Sequence, residues 1–104
     1  LLKDNFENVI KKESYKEFFM HRTGHWLGLD VHDVGEYENI LFEPGMVITV
    51  EPGIYINESN ENIPKKWRGI GVRIEDDVLI TKGGNEVITK DLAKERNEIE
   101  ALCS

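Results

Sequence analysis

The sequence predicts an α+β fold with mostly antiparallel strands. Apolar residues recur at helical spacing near both ends of the chain, while short alternating or β-branched runs fill the stretch from Met46 to Thr89. Proline and glycine breaks punctuate those runs.

From Leu2 to Lys12, Phe6, Val9 and Ile10 fall on one helical face with charged residues between them, so an amphipathic helix is expected there, ending near Ser14 and Tyr15. Phe18, Phe19 and Met20 then form a short apolar run that leads into His21 and seats it against the core. Met46 to Val50 and Ile54 to Ile56 read as strands flanking the break at Glu51-Pro52-Gly53. Asn57 to Trp67 is polar, contains Pro64, and reads as a loop. Gly71 to Glu75 alternates like a strand, Asp76-Asp77 reads as a solvated turn, and Val78 to Thr81 resumes the strand. Lys82-Gly83-Gly84-Asn85 is a turn before Glu86 to Thr89, and Lys94 to Leu102 carries Ile99 and Leu102 at helical spacing.

A chain of 104 residues holds at most one domain, and folding at this size buries roughly 60–70 per cent of the unfolded surface. It opens on Leu1 inside an apolar stretch, so it is expected to be a piece of a longer polypeptide. With 13 basic and 20 acidic residues the net charge is -7, which disfavours attraction to nucleic acid or anionic lipid. The apolar windows are far shorter than the ~20 residues of a membrane helix. A single cysteine, Cys103, forms no internal disulfide and fits a reducing compartment, so the cytoplasm is expected.

Three clusters carry the chemistry: His21 to His25 with Asp30 to Asp33, then Thr49 to Gly53, then Gly71 to Asp77. All three histidines fall within twelve consecutive positions. His21 and His25 have the spacing of a zinc-protease helix, but Arg22 stands where that motif needs glutamate and Gly24 disfavours a helix. Glu51 and Glu75 lie in strand-like stretches with apolar neighbours, where a carboxylate is costly unless paired or bound to a cation. One imidazole with several carboxylates suits Mn, Co, Fe or Zn. Arg73, two residues before Glu75, is either its ion-pair partner or a substrate contact. Trp26, Trp67, Phe18 and Phe19 read as core.

The strings His21-Arg22-Thr23-Gly24-His25-Trp26-Leu27-Gly28-Leu29-Asp30-Val31-His32-Asp33, Pro44 to Val47, Thr49 to Tyr55 and Gly69 to Asp77 closely resemble, in order, the signature blocks of the aminopeptidase P and prolidase branch of the pita-bread metallopeptidases. The resemblance implies that residues 1–104 are the C-terminal portion of a pita-bread (creatinase/aminopeptidase-like) catalytic domain, with a curved antiparallel sheet and flanking helices. It implies a histidine metal ligand at His25 and a carboxylate ligand at Glu51, placed to take a proton from a bridging water. Glu75 is implied to bridge two ions, usually manganese, with cobalt or zinc as alternatives. His21 and His32 match histidines that contact the substrate and stabilise the tetrahedral intermediate. Arg73 matches an arginine beside the metals. The implied reaction releases an N-terminal residue from peptides with proline second, with a dipeptide-cleaving prolidase or a noncatalytic relative as alternatives. The family draws two further aspartate ligands from upstream strands. Nothing before His21 resembles them, and Asp4, Asp30 and Asp33 do not replace them, so the chain alone is expected to be inactive. Exposed strand edges in such a piece make self-association expected, and the parent is expected to be a homo-oligomer.

Overall fold

The structure, a computed structural model, describes residues 1–104. In chain order its elements are helix α1 (Phe6–Lys11), strands β1 (Val47–Val50), β2 (Gly53–Tyr55), β3 (Gly71–Arg73), β4 (Asp76–Thr81) and β5 (Gly84–Val87), and helix α2 (Arg96–Leu102). Both sheets are antiparallel, as expected. The chain divides into two units, Leu1–Thr23 with Glu51–Arg73 and Gly24–Val50 with Ile74–Ser104.

In the first unit, α1 starts later than its apolar spacing suggests because Asn5 caps it: the Asn5 side chain accepts the Asn8 N–H at 2.9 Å. Glu7 in the first turn and Lys11 in the last complement the helix dipole. Val9 is its only buried residue, and Phe6 stays 78 % exposed. The chain leaves through a 3-10 turn, Ser14–Glu17, and buries Phe18. The Phe18 carbonyl accepts the Tyr55 N–H at 2.8 Å, which ties the run before His21 to β2. Strand β2 pairs with β3 from Gly53↔Arg73 to Tyr55↔Gly71. The Tyr55 ring folds back over this ribbon, and a Cβ on Gly53 would come within 2.7 Å of the Tyr55 hydroxyl. Between the strands, the Asn57 to Trp67 loop includes a 3-10 turn at Lys65–Trp67, and Trp67 is half exposed, not core.

The second unit is built on the sheet β1-β4-β5, with β4 at its centre and Val78 buried there. Strands β1 and β4 pair from Val47↔Leu79 to Val50↔Asp76, so Asp76 and Asp77 lie within the sheet and are not the expected turn. Backbone pairing is indifferent to their charge, and Asp76 is compensated from outside: Thr89 Oγ1 donates to it at 2.6 Å and Lys94 Nζ lies 3.0 Å away. The interruption falls instead at Ile74 and Glu75. The other edge of β1 is covered by residues 25–27. Leu27 N–H donates to the Val47 carbonyl at 3.1 Å, Thr49 N–H donates to the His25 carbonyl at 2.9 Å, and Trp26 bridges Ile48. Helix α2 buries no residue. No helix is long and apolar enough to cross a membrane.

Candidate metal centre

Neither Glu51 nor Glu75 lies within a strand. Strand β1 ends one residue before Glu51, and β4 begins one residue after Glu75. Both carboxylates therefore sit where the ladder has just released the backbone. The chain passes between the two units after residues 23, 50 and 73, so His25, Glu51 and Glu75 each follow such a passage within two positions.

In the second unit, His25 is seated by Thr49. Its N–H donates to Thr49 Oγ1 at 2.9 Å, and its carbonyl accepts the Thr49 N–H, also at 2.9 Å. Thr49 is 3 % exposed, so both of its bonds are made out of water. The close approach requires glycine at position 24, because a Cβ there would run into the Thr49 carbonyl oxygen. His25 Nδ1 lies 2.9 Å from its neighbour's carbonyl, Trp26 O. A carbonyl only accepts, so Nδ1 carries the proton and the lone pair of the neutral ring is on Nε2. A histidine that ligates a metal through Nε2 while giving its other N–H to a carbonyl has this tautomer. A ligand atom of His25 lies within 4.8 Å of one of the Glu75 carboxylate oxygens. His32 is exposed, with its ring centroid 4.3 Å from that of His25 and inclined at 47°. Asp33 closes the loop before it by accepting the Leu29 and Val34 N–H groups at 3.0 and 2.9 Å, a structural task.

In the first unit, Glu51 is a buried carboxylate, 8 % exposed, and its N–H donates to the Thr23 carbonyl at 2.7 Å. Arg73, expected as an ion-pair partner of Glu75 or as a substrate contact, places its guanidinium 3.7 Å from Glu51. That distance is an electrostatic contact longer than a hydrogen bond. Pairing Gly53 with Arg73 in β2 and β3 brings the arginine beside the segment that starts at Glu51. His21 Nδ1 lies 2.7 Å from the Arg22 carbonyl and Nε2 lies 2.7 Å from the Tyr55 hydroxyl. By the same reasoning Nδ1 donates, and Nε2 accepts the Tyr55 O–H. Phe19 packs edge-on against the His21 ring, with centroids 4.8 Å apart, so the run before His21 does seat it.

Thr49 and Tyr55, which fix the two histidines, were not singled out from the sequence. Their partners lie 24 and 34 positions away, beyond any local spacing. The only local signal was a hydroxyl or phenol inside an otherwise apolar strand.

Residues 2–82 match the model of metallopeptidase family M24. The chain belongs to that family. As an M24 chain it is 51% identical over 105 residues to the Xaa-Pro aminopeptidase of Escherichia coli, covering 98% of this chain and 24% of that protein. Its fold superposes on Pseudomonas aeruginosa aminopeptidase PepP with a TM-score of 0.91 and 57% identity, covering 97% of this chain and 24% of that one. For Escherichia coli aminopeptidase P with the inhibitor Pro-Leu, the TM-score is 0.88 at 52% identity, covering 97% and 24%. The M24 chain thus has the pita-bread fold and spans about a quarter of the length of the relatives it matches.

Proposed function

We propose that His25, Glu51 and Glu75 are metal ligands of an Xaa-Pro aminopeptidase, supplying part of a two-metal centre. The observation that carries this is the approach of a His25 ring nitrogen and a Glu75 carboxylate oxygen to within 4.8 Å of each other. The Nδ1 contact of His25 with the Trp26 carbonyl and the burial of Glu51 support it. Bound divalent ions, manganese by preference and cobalt or zinc as alternatives, would supply Lewis acidity and an acidified water at neutral pH.

The chain's own residues do the remaining work. Glu51 takes a proton from the attacking water, and the Arg73 guanidinium lies 3.7 Å from its carboxylate. His21 and His32 contact the substrate and stabilise charge developing on the scissile oxygen, His21 by exchanging its Tyr55 hydrogen bond for the substrate with the proton on Nε2. Phe19, edge-on to the ring, orients His21 for that exchange. Substrates are peptides with proline second, in keeping with the names of the relatives and with Pro-Leu as an inhibitor of one. The remaining ligands come from outside these 104 residues, so this chain alone neither holds two ions tightly nor turns over. Its lone cysteine supports a cytoplasmic setting.

The test is cleavage of an Xaa-Pro peptide and of its Xaa-Ala counterpart by the whole protein with manganese, beside His25→Ala and Glu75→Ala, with bound metal measured by calorimetry. Selective release before proline is expected. Each variant should weaken metal binding by more than the ~10–100-fold typical of residues that only hydrogen-bond to ligands. Variants with unchanged metal affinity would overturn the ligand assignment. Tight binding of two ions by the 104-residue chain alone would overturn the claim that ligands lie elsewhere.

A further inference from the structure

Directly after Glu75 in the second unit is a polar cluster that the proposed chemistry does not use. Thr89 Oγ1 donates to Asp76 Oδ1 at 2.6 Å and accepts the Asp77 N–H at 3.0 Å, so one hydroxyl grips both a side chain and the backbone of the next residue. Lys94 Nζ sits 3.0 Å from the same Asp76 oxygen and donates to the carbonyls of Thr89 at 2.7 Å and Leu92 at 3.0 Å. The Ile88 N–H donates to the Asp77 carbonyl at 2.8 Å, closing the cluster onto the strand. Lys94 is about a fifth exposed and Asp76 about a quarter, which shields the contact from solvent relative to a surface pair.

Strand β4 begins at Asp76, paired with Val50, and Glu75 is one peptide before it, outside the ladder. The Thr89 and Lys94 contacts that hold Asp76 and Asp77 therefore hold the backbone from which the Glu75 carboxylate projects. We propose that Thr89 and Lys94 are positioning residues for the Glu75 carboxylate, acting through Asp76 and Asp77 without touching the metal or the substrate. The inference rests on Glu75 being a ligand, as argued above. It extends the supporting shell beyond the ligands themselves to residues 14 and 19 positions away in the chain.

Thr89→Val removes the hydroxyl at constant shape, Thr89→Ser restores it, and Lys94→Met removes the cation while keeping the stem. In the whole protein, manganese affinity is read by calorimetry and the melting temperature of the metal-free form is read alongside. Thr89→Val and Lys94→Met should each weaken manganese binding about 10-fold or more, and Thr89→Ser should restore affinity to within about 2-fold. In this outcome the metal-dependent rise in melting temperature shrinks more than the metal-free melting temperature falls. Unchanged affinity in Thr89→Val and Lys94→Met would overturn the inference, as would a loss that tracks metal-free stability and is not restored by serine. His25→Ala separates the two readings. If it abolishes manganese binding while Thr89→Val does nothing, the metal site stands and the positioning role falls; if His25→Ala also does nothing, the ligand reading itself has failed.

Discussion

The chemistry rests on how single side chains are oriented. His25 and His21 each spend Nδ1 on a backbone carbonyl next in sequence, Trp26 and Arg22 respectively. That contact is local and sets the tautomer without help from distant residues. The burial of Glu51 was legible because it follows an apolar, β-branched strand, where a carboxylate demands compensation; Glu75 is exposed, and only its place in the third block singled it out. Thr49, Tyr55 and Thr89 were not legible, because hydroxyls are common in strands and their partners are assigned only by the fold. At the other end of the first unit, Asp4 is held down to about 2 by hydrogen bonds from the Asn8 side chain, from Lys12 and from the Asn5 backbone. A depressed carboxyl stabilises the fold fully above its ordinary value of 3.8 and loses that contribution as pH falls through about 2. Asp4→Asn should therefore melt lower than the parent at about pH 5, with the gap closing towards the folded-state value. Thermal melts across that range check this, and a gap independent of pH would contradict it.

Among the elements, the strands formed where β-branched residues predicted them, and their ends did not. Asp76 and Asp77 look like a turn to any pattern reading, yet β4 begins with them: Thr89 and Lys94 answer the Asp76 charge from beyond β5, and Thr89 also accepts the Asp77 N–H. The α1 start was misjudged for the complementary reason: Asn5 is a stronger signal than apolar spacing. The contact of residues 25–27 with β1 depends on the missing side chain at Gly24. Gly24→Ala should push this segment off the strand and destabilise the fold by about 1–3 kcal/mol, the usual cost of overpacking. Urea unfolding measures it, and metal affinity should fall in parallel because His25 moves with the segment.

Across the whole molecule, the order of the blocks made the family readable, since separated strings at fitting distances specify far more than any one motif. The division into two units was not readable: the chain changes unit at points that carry no linker composition, between Thr23 and Gly24, Val50 and Glu51, and Arg73 and Ile74. Only Val9, Phe18 and Val78 are buried apolar side chains, while Leu29, Val34 and Leu41 are nearly or fully exposed. So much uncovered apolar surface favours association. The isolated chain is expected to run as a dimer or larger species in light scattering, and a single monomeric species would contradict that.

The reciprocal bonds between His25 and Thr49 also make a clock. The His25 amide hydrogen is held by the Thr49 hydroxyl and the Thr49 amide hydrogen by the His25 carbonyl, so one opening of the segment exposes both to deuterium. Their exchange should keep a common pace in the native protein. Thr49→Val should uncouple them, with the His25 amide quickening while its counterpart lags. Two resonances would then report, with no metal or substrate present, whether the seat of the proposed ligand is closed.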